Sequence, residues 1–272
     1  MILQRCVGAC AVALLLAAGT APAVAAQPTR LDRAHAHNDY EHARPLLDAL
    51  DHGFNSVEAD VWLVDGALLV AHDRDEVRPD RTLERLYLEP LRERARANGG
   101  RIHAGRPPLL LLVDVKSDAE VTYARLHDVL RSYADVLTIW SGDSVEEGAV
   151  SVVLSGERAR DTMRAAPIRF AAYDGRLPDL DAEAATPTAF MPLVSERWGR
   201  VADWDGSPPV PPGLRAELSR LSDLAHTQGR RLRFWGTPDL EAVWGLLLGA
   251  GVDLINTDDL AGLQRFLQQA GG

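Results

Sequence analysis

The chain has 272 residues, 46% hydrophobic and 25% charged, which is ample material for one large core and a common length for a single-domain α/β barrel. Its formal net charge is −10, so it has no general electrostatic attraction to nucleic acid or to an anionic lipid surface. An anionic phosphate ester would need local cations to hold it.

Residues 1–26 read as a secretory signal peptide. Arg5 is the only charge there, Val7 to Ala18 is apolar, and Ala23-Val24-Ala25-Ala26 offers small-residue cleavage sites. The apolar run is short for a ~20-residue membrane span, so no stable membrane insertion is expected. The expectation is a secreted or periplasmic domain over 27–272. Both cysteines, Cys6 and Cys10, fall inside the expected signal, leaving the exported domain without a disulfide.

From Leu31 the pattern is strand, then helix, repeated. Arg33–His37 is short and extended, and a helical run near Pro45–Asp51 ends at Gly53. Asn55–Leu63 reads as a strand that Asp65-Gly66 turns into Ala67–Ala71, a hairpin by its turn chemistry. Thr82–Ala97 has helical spacing and stops at Asn98-Gly99-Gly100. Leu109–Val115 is a continuous apolar run, as a strand buried on both faces should be.

Ala119–Tyr133 is an amphipathic helix. Val150–Leu154, Ile168–Ala172 and Ala189–Val194 read as further strands, and a helix is expected at Leu214–Thr227 after the stiff Pro208 to Pro212 segment. Arg231–Trp235 and Val252–Asn256 are the last strands, with helices over Leu240–Leu248 and Leu260–Gln269. Leaving out the hairpin arm, eight strands mostly alternate with helices. That pattern implies one closed, parallel (β/α)8 TIM barrel with its site at the C-terminal strand ends.

Ionisable residues gather at those ends. His35 and His37, and likewise Glu58 and Asp60, are two apart and would share one side of an extended strand. Asp114 adds a third carboxylate at the end of a second strand. Three converging carboxylates repel one another, and an all-oxygen set of this kind suits a hard divalent cation, Mg²⁺ or Ca²⁺. His37 and His72 read as an acid/base pair. His35 fits a supporting role better than that of principal base. His42, His52, His103, His127 and His226 read as surface or core histidines. Lys116, two residues from Asp114, would place an ammonium where phosphoryl charge develops.

Several elements of the chain resemble the phospholipase C-like phosphodiesterase superfamily, the barrel shared by glycerophosphodiester phosphodiesterases and sphingomyelinase D. They are His37, Pro45, Gly53, Glu58-Ala59-Asp60, Asp65-Gly66, His72-Asp73, Val113-Asp114-Val115-Lys116, Arg233-Phe234-Trp235-Gly236-Thr237, and the segment Gly251 to Asp258. Within that superfamily the chain is most similar to the "altered inheritance of mitochondria protein 6" family. The spacing to Pro45 selects His37 over His35 as the equivalent of the family's catalytic histidine.

The resemblance implies metal-assisted cleavage of a small-molecule or lipid phosphodiester. Glu58, Asp60 and Asp114 would hold the cation, His37, His72 and Lys116 would be catalytic, and Asn38 and Trp235 would bind substrate. Tyr40, Tyr173, Arg176 and Trp204 are further candidates for the pocket wall. Asn38 departs from the Arg that glycerophosphodiesterases carry beside the first histidine, Pro45-Leu46-Leu47-Asp48 lacks the family's Glu, and Asp114 is closer to the sphingomyelinase D arrangement. Amidohydrolases and histidinol-phosphatase-like enzymes also open with His-x-His, but they need further metal-binding histidines that the later strands do not carry. A secreted barrel that binds metal and phosphate without turnover is the alternative, and the presence of both His37 and His72 argues against it.

Overall fold

The computed structural model describes residues 29–271 except 104, 106, 143 and 183–185. The expected signal segment lies outside the described residues. Eight parallel strands close on themselves: β1 (Ala34–Ala36), β2 (Ser56–Val64), β3 (Leu109–Val115), β4 (Val150–Gly156), β5 (Ala172–Gly175), β6 (Leu193–Arg197), β7 (Arg231–Trp235) and β8 (Leu254–Thr257). Closure falls at β1, which pairs with β8 from Ala34↔Ile255 to Ala36↔Thr257 and with β2 at Ala36↔Val57. The expected (β/α)8 barrel is the fold.

The two-residue period of a strand sorts the barrel into two apolar layers. Leu109, Leu111, Val113 and Val115 face outward into the larger core, which includes Leu126, Val129 and Leu130 of α3 (Ala119–Arg131). Leu110 and Leu112 face inward with Val153, Ala172, Leu193 and Leu254. Above this inner layer the inward positions turn polar, through Glu58, Asp60, Asp114, Ser155, Asp174 and Arg233. The N-terminal mouth is closed by Trp140, on a small antiparallel sheet of Ile139–Ser141, Ser144–Glu146 and Ile168–Arg169.

The hairpin arm forms as expected. Ala67–Val70 pairs antiparallel with β2 through a turn at Asp65 (φ 49°) and Gly66 (φ 80°), the two left-handed positions of a type I′ connection. Two expected strands move. Ile168–Ala172 is split: Ile168–Arg169 joins the small sheet, and the barrel strand is Ala172–Gly175. Ala189–Val194 gives way to Leu193–Arg197. In both cases the apolar run marks core residues just ahead of the strand, Phe170 and Ala171 or Phe190 and Met191, while the strand itself carries inward polar groups, Asp174 and Ser195, that break the hydrophobic pattern.

The expected helix Thr82–Ala97 also divides. A π-helical turn over Glu84–Leu88 precedes α2 (Glu89–Ala97). Pro90 has no N–H to donate and its ring crowds the carbonyl four residues back, so the ladder shifts and Glu89 N–H bonds to Glu84 O.

Trp140→Ala should test the closed mouth. Removing a buried aromatic from a close-packed inner layer typically costs about 3–5 kcal/mol, and the urea midpoint should fall accordingly. An unchanged midpoint would show that the plug carries no weight.

Candidate active site

Glu58 and Asp60 project inward from β2, and Asp114 from β3, in direct register with Asp60. One oxygen from each of the three lies within 4.8 Å of the others. Each carboxylate is held differently. Glu58, nearly inaccessible, accepts from Arg233 Nη2 and from His35 Nε2 at 3.0 Å. Burial alone would raise its pKa, but Arg233 and the His35 bond hold it below the usual carboxylate range.

Asp60 accepts from Tyr40 OH at 2.8 Å, and Lys116 Nζ lies 3.0 Å from Asp60 and 3.3 Å from Asp114. Even so, burial and the neighbouring Glu58 push Asp60 up to about 7, and the same two causes raise Asp114. For Lys116, burial favours the neutral amine, yet Asp114 and Asp60 keep its ammonium above the ordinary lysine value.

Oδ1 of Asp60 and Oδ1 of Asp114 are buried with no hydrogen-bond partner among the described residues. Unpaired buried carboxylate oxygens are costly, and a hard cation satisfies them. The donor set therefore fits Mg²⁺ or Ca²⁺. Gly156 belongs to this arrangement, because at φ 68° a Cβ there would lie 1.9 Å from Asp114 Oδ1.

The two strand-one histidines part company. His35 is fully buried, Nδ1 at 2.7 Å from Ser56 Oγ and Nε2 on Glu58. Burial, reinforced by Arg233, lowers it to about 3, so it is neutral, with Nε2–H donating to Glu58 and Nδ1 accepting from Ser56. His37 sits just beyond β1 and donates from Nδ1 to Asp258 Oδ1 at 2.8 Å. Burial would lower it, but the Asp258 bond and the charge of Glu58 prevail and raise it. Asp258 is fixed in turn, its backbone N–H donating to Asp239 at 2.8 Å. With Nδ1 occupied, Nε2 of His37 is the nitrogen left for a ligand.

His72, at the end of the hairpin arm, is half exposed, with Nδ1 3.3 Å from Asp73, and its carbonyl accepts from Trp62 Nε1 at 3.3 Å. A cavity of about 330 Å³ brings the expected residues together: His37, Asn38, Glu58, His72, Asp114, Lys116 and Trp235 line it, with Asp60 buried beneath. Trp235 ends β7 under the Arg197 guanidinium, 5.7 Å from its ring centre. Among the pocket-wall candidates Arg176 lines the cavity, whereas Tyr173 and Trp204 are buried outside it and Tyr40 lies under Asp60. Other histidines are structural: His103 donates to Phe54 O at 2.9 Å, and His226 bonds Asp253 at 2.8 Å.

Sequence reasoning gave no role to Arg233, Asp258, Ser155, Asp174 or Asn256. Arg233 had a usable signal, a charge set between the apolar residues Leu232 and Phe234 inside a strand. Asn256 accepts from Arg233 Nε at 3.0 Å and Nη2 at 2.7 Å, a pairing that no spacing reveals.

A closed parallel barrel with this polar site over its C-terminal end has the TIM-barrel architecture of the glycerophosphodiester phosphodiesterases. Residues 27–174 match the AIM6-like phosphodiesterase domain, and residues 231–261 match the glycerophosphoryl diester phosphodiesterase family. "Altered inheritance of mitochondria protein 6" of Eremothecium gossypii is 32% identical over 278 residues, covering 87% of this chain and 69% of its own. The homolog from Arthroderma benhamiae is 28% identical, covering 83% and 81%. The chain belongs to the AIM6-like phosphodiesterase domain family.

Among solved structures, a glycerophosphodiester phosphodiesterase from Agrobacterium tumefaciens superposes with TM-score 0.51 at 16% identity, covering 86% of this chain and all of that one (100%). A calcium-dependent phosphoinositol-specific phospholipase C from a Pseudomonas species gives 0.51 at 11%, covering 87% and 89%. At these identities the likeness is one of fold.

The loop that carries His37 and Asn38 is anchored by Asp39, which is fully buried and accepts from Leu46 N–H and from Tyr87 OH at 2.8 Å. Burial pushes Asp39 up to about 6. The folded state thus binds this proton more tightly than the unfolded chain. The resulting stability is full below about pH 4 and is lost as pH rises to about 6, by about 3 kcal/mol in all. Asp39→Asn keeps an acceptor and removes the titration. Wild-type minus variant stability, from urea unfolding, should therefore decline between pH 4 and 6 and then level off; a flat difference would contradict the assignment.

Proposed function

We propose that this barrel is a divalent-cation-dependent phosphoric diester hydrolase acting on a glycerophosphodiester or phospholipid-type substrate. The observation that carries the reading is the convergence on one cavity of three carboxylates, two with orphaned oxygens, beside an oriented histidine and a charged lysine.

Glu58, Asp60 and Asp114 would hold the ion, which when bound supplies Lewis-acid stabilisation to a nonbridging phosphoryl oxygen. His37 would take a proton at Nε2 from a substrate hydroxyl or water, and Asp258 at Nδ1 stabilises the imidazolium that results. His72 would give a proton to the departing alkoxide. Lys116 faces the charge that builds on the phosphoryl group, and Asn38 and Trp235 frame the substrate. Support for the substrate class comes from the family and from the fold neighbours whose names include glycerophosphodiesters and phosphoinositol.

Chelation should abolish phosphodiesterase activity, and Mg²⁺ or Ca²⁺ should restore it. Full turnover by Asp60→Asn in chelator would remove the cation from the reading.

His37→Ala and His72→Ala should each lower turnover by about 10²–10⁴-fold, the usual worth of general acid or base assistance, while cation binding by calorimetry stays within a few-fold. A p-nitrophenolate leaving group needs little protonation, so it should rescue His72→Ala and leave His37→Ala impaired. Wild-type turnover by both variants on every substrate would favour a binding barrel instead.

A further inference from the structure

Among the described residues, three cations other than histidine line the cavity: Lys116, Arg176 and Arg233. Two are committed to the carboxylate cluster. Lys116 lies between Asp60 and Asp114, and Arg233, almost inaccessible, gives Nε and Nη2 to Asn256 and Nη2 also to Glu58.

Arg176 is built differently. It follows β5 directly, and its backbone N–H donates to Asp179 at 2.7 Å in α5 (Leu177–Ala182), which pins its Cα. Its side chain is fastened to a buried pair. Asp174 Oδ2, fully enclosed, accepts from Arg176 Nη1 at 2.8 Å and from Ser155 Oγ at 2.8 Å, and Ser155 Oγ accepts from Nη2 at 3.1 Å. The second Nη1 proton goes to Gly175 O at 2.9 Å. The end of the fork is therefore locked to Asp174 and Ser155. Its other edge, Nε–H with the second Nη2–H, has no hydrogen-bond partner among the described residues.

That edge has the spacing for two oxygens of a tetrahedral anion. Asp174 neutralises the guanidinium electrostatically without blocking it, and a buried carboxylate on one side of a fork removes the rotamer freedom that anion binding would otherwise have to freeze.

We propose that Arg176 is the phosphoryl anchor of this cavity. It grips nonbridging oxygens of the substrate's phosphate from the β4–β5 side, with Asp174 and Ser155 as its positioning residues. The anchor rests on the reading of the cavity as a phosphodiester site.

Inorganic phosphate tests it without turnover. With the full chain in Ca²⁺, titration calorimetry should give Arg176→Gln a phosphate affinity about 10- to 100-fold below wild type, the range of one charge-assisted interaction. Arg176→Lys should fall between, since it keeps the charge and loses the fork. Arg176→Gln leaves the Asp174 carboxylate without its cation, so Asp174→Asn/Arg176→Gln removes both charges. The double variant should melt near wild type yet bind phosphate as weakly as the single one. Asp174→Asn alone should lose part of the phosphate affinity and leave Ca²⁺ affinity unchanged. On a phosphodiester that wild type cleaves, Arg176→Gln should raise KM more than it lowers kcat.

Wild-type phosphate affinity in Arg176→Gln, or in the double variant, overturns the anchor, as does a loss of stability with phosphate binding intact. A wild-type protein that binds no phosphate in Ca²⁺ overturns the phosphodiester reading, and the anchor falls with it.

Discussion

The burial of three carboxylates at one end of a closed barrel governs the rest of this structure. Strand alternation leaves Glu58, Asp60 and Asp114 no direction but inward, and β2 and β3 in parallel register bring Asp60 level with Asp114. Desolvation and mutual repulsion then oppose ionisation of all three. Around this cluster stand Arg233 and neutral His35 on Glu58, and Lys116 and Tyr40 on Asp60. The compensation is uneven. Glu58 stays ionised, whereas Asp60 and Asp114 keep raised pKa values and orphaned oxygens. A site left short of positive charge in this way has oxygens that a cation would satisfy.

The carboxylates and the two cavity histidines sit on different kinds of scaffold. The carboxylates lie within paired strands, flanked by hydrogen bonds on both sides, so their geometry is fixed by the barrel itself. The histidines lie beyond strand ends. His37 depends on the relay from Asp239 through Asp258, and His72 on the hairpin arm that extends β2 out of the barrel. The β1 loop needs its own internal support, because Asn38 and Leu46 both adopt left-handed backbone (φ 44° and 63°) without being glycine. Asp39 supplies that support by accepting from the Leu46 N–H, at the cost of burying a carboxyl group.

How much of this the sequence discloses follows from the same physics. The hairpin arm, β3 and the carboxylate cluster were readable because apolar runs, an Asp-Gly turn and two-residue spacing are local signals. The spacing misplaces β5 and β6 because their inward positions turn polar towards the C-terminal end of the barrel: Asp174 and Ser195 erase the hydrophobic pattern that a strand is recognised by. Arg233, Asn256 and Asp258 fall within the motif segments without a legible role, since each meets its partner through the closed barrel and no local spacing records that pairing. Gly156 carries no sign of its purpose at all. Only the position of Asp114 on the neighbouring strand shows why a side chain is excluded there.

His35 and His37 make the limit clearest. They are two residues apart, His35 within β1 and His37 just past its end, with the same side chain and the same expected facing, and no periodicity separates them. Inside the barrel, His35 is sealed between Ser56 and Glu58 with Arg233 nearby, and it is driven neutral. One step of the pleat further on, past the strand end, His37 is still largely enclosed, yet it meets Asp258, and its proton is held more tightly. A neutral imidazole locked to a carboxylate orients that carboxylate and has no nitrogen left to exchange a proton with a ligand. An imidazole bonded at Nδ1 alone keeps Nε2 for that purpose. The difference between a sealed, fully bonded ring and one with a free nitrogen is therefore set by the depth of each ring in the barrel, a quantity that depends on where β8 closes against β1.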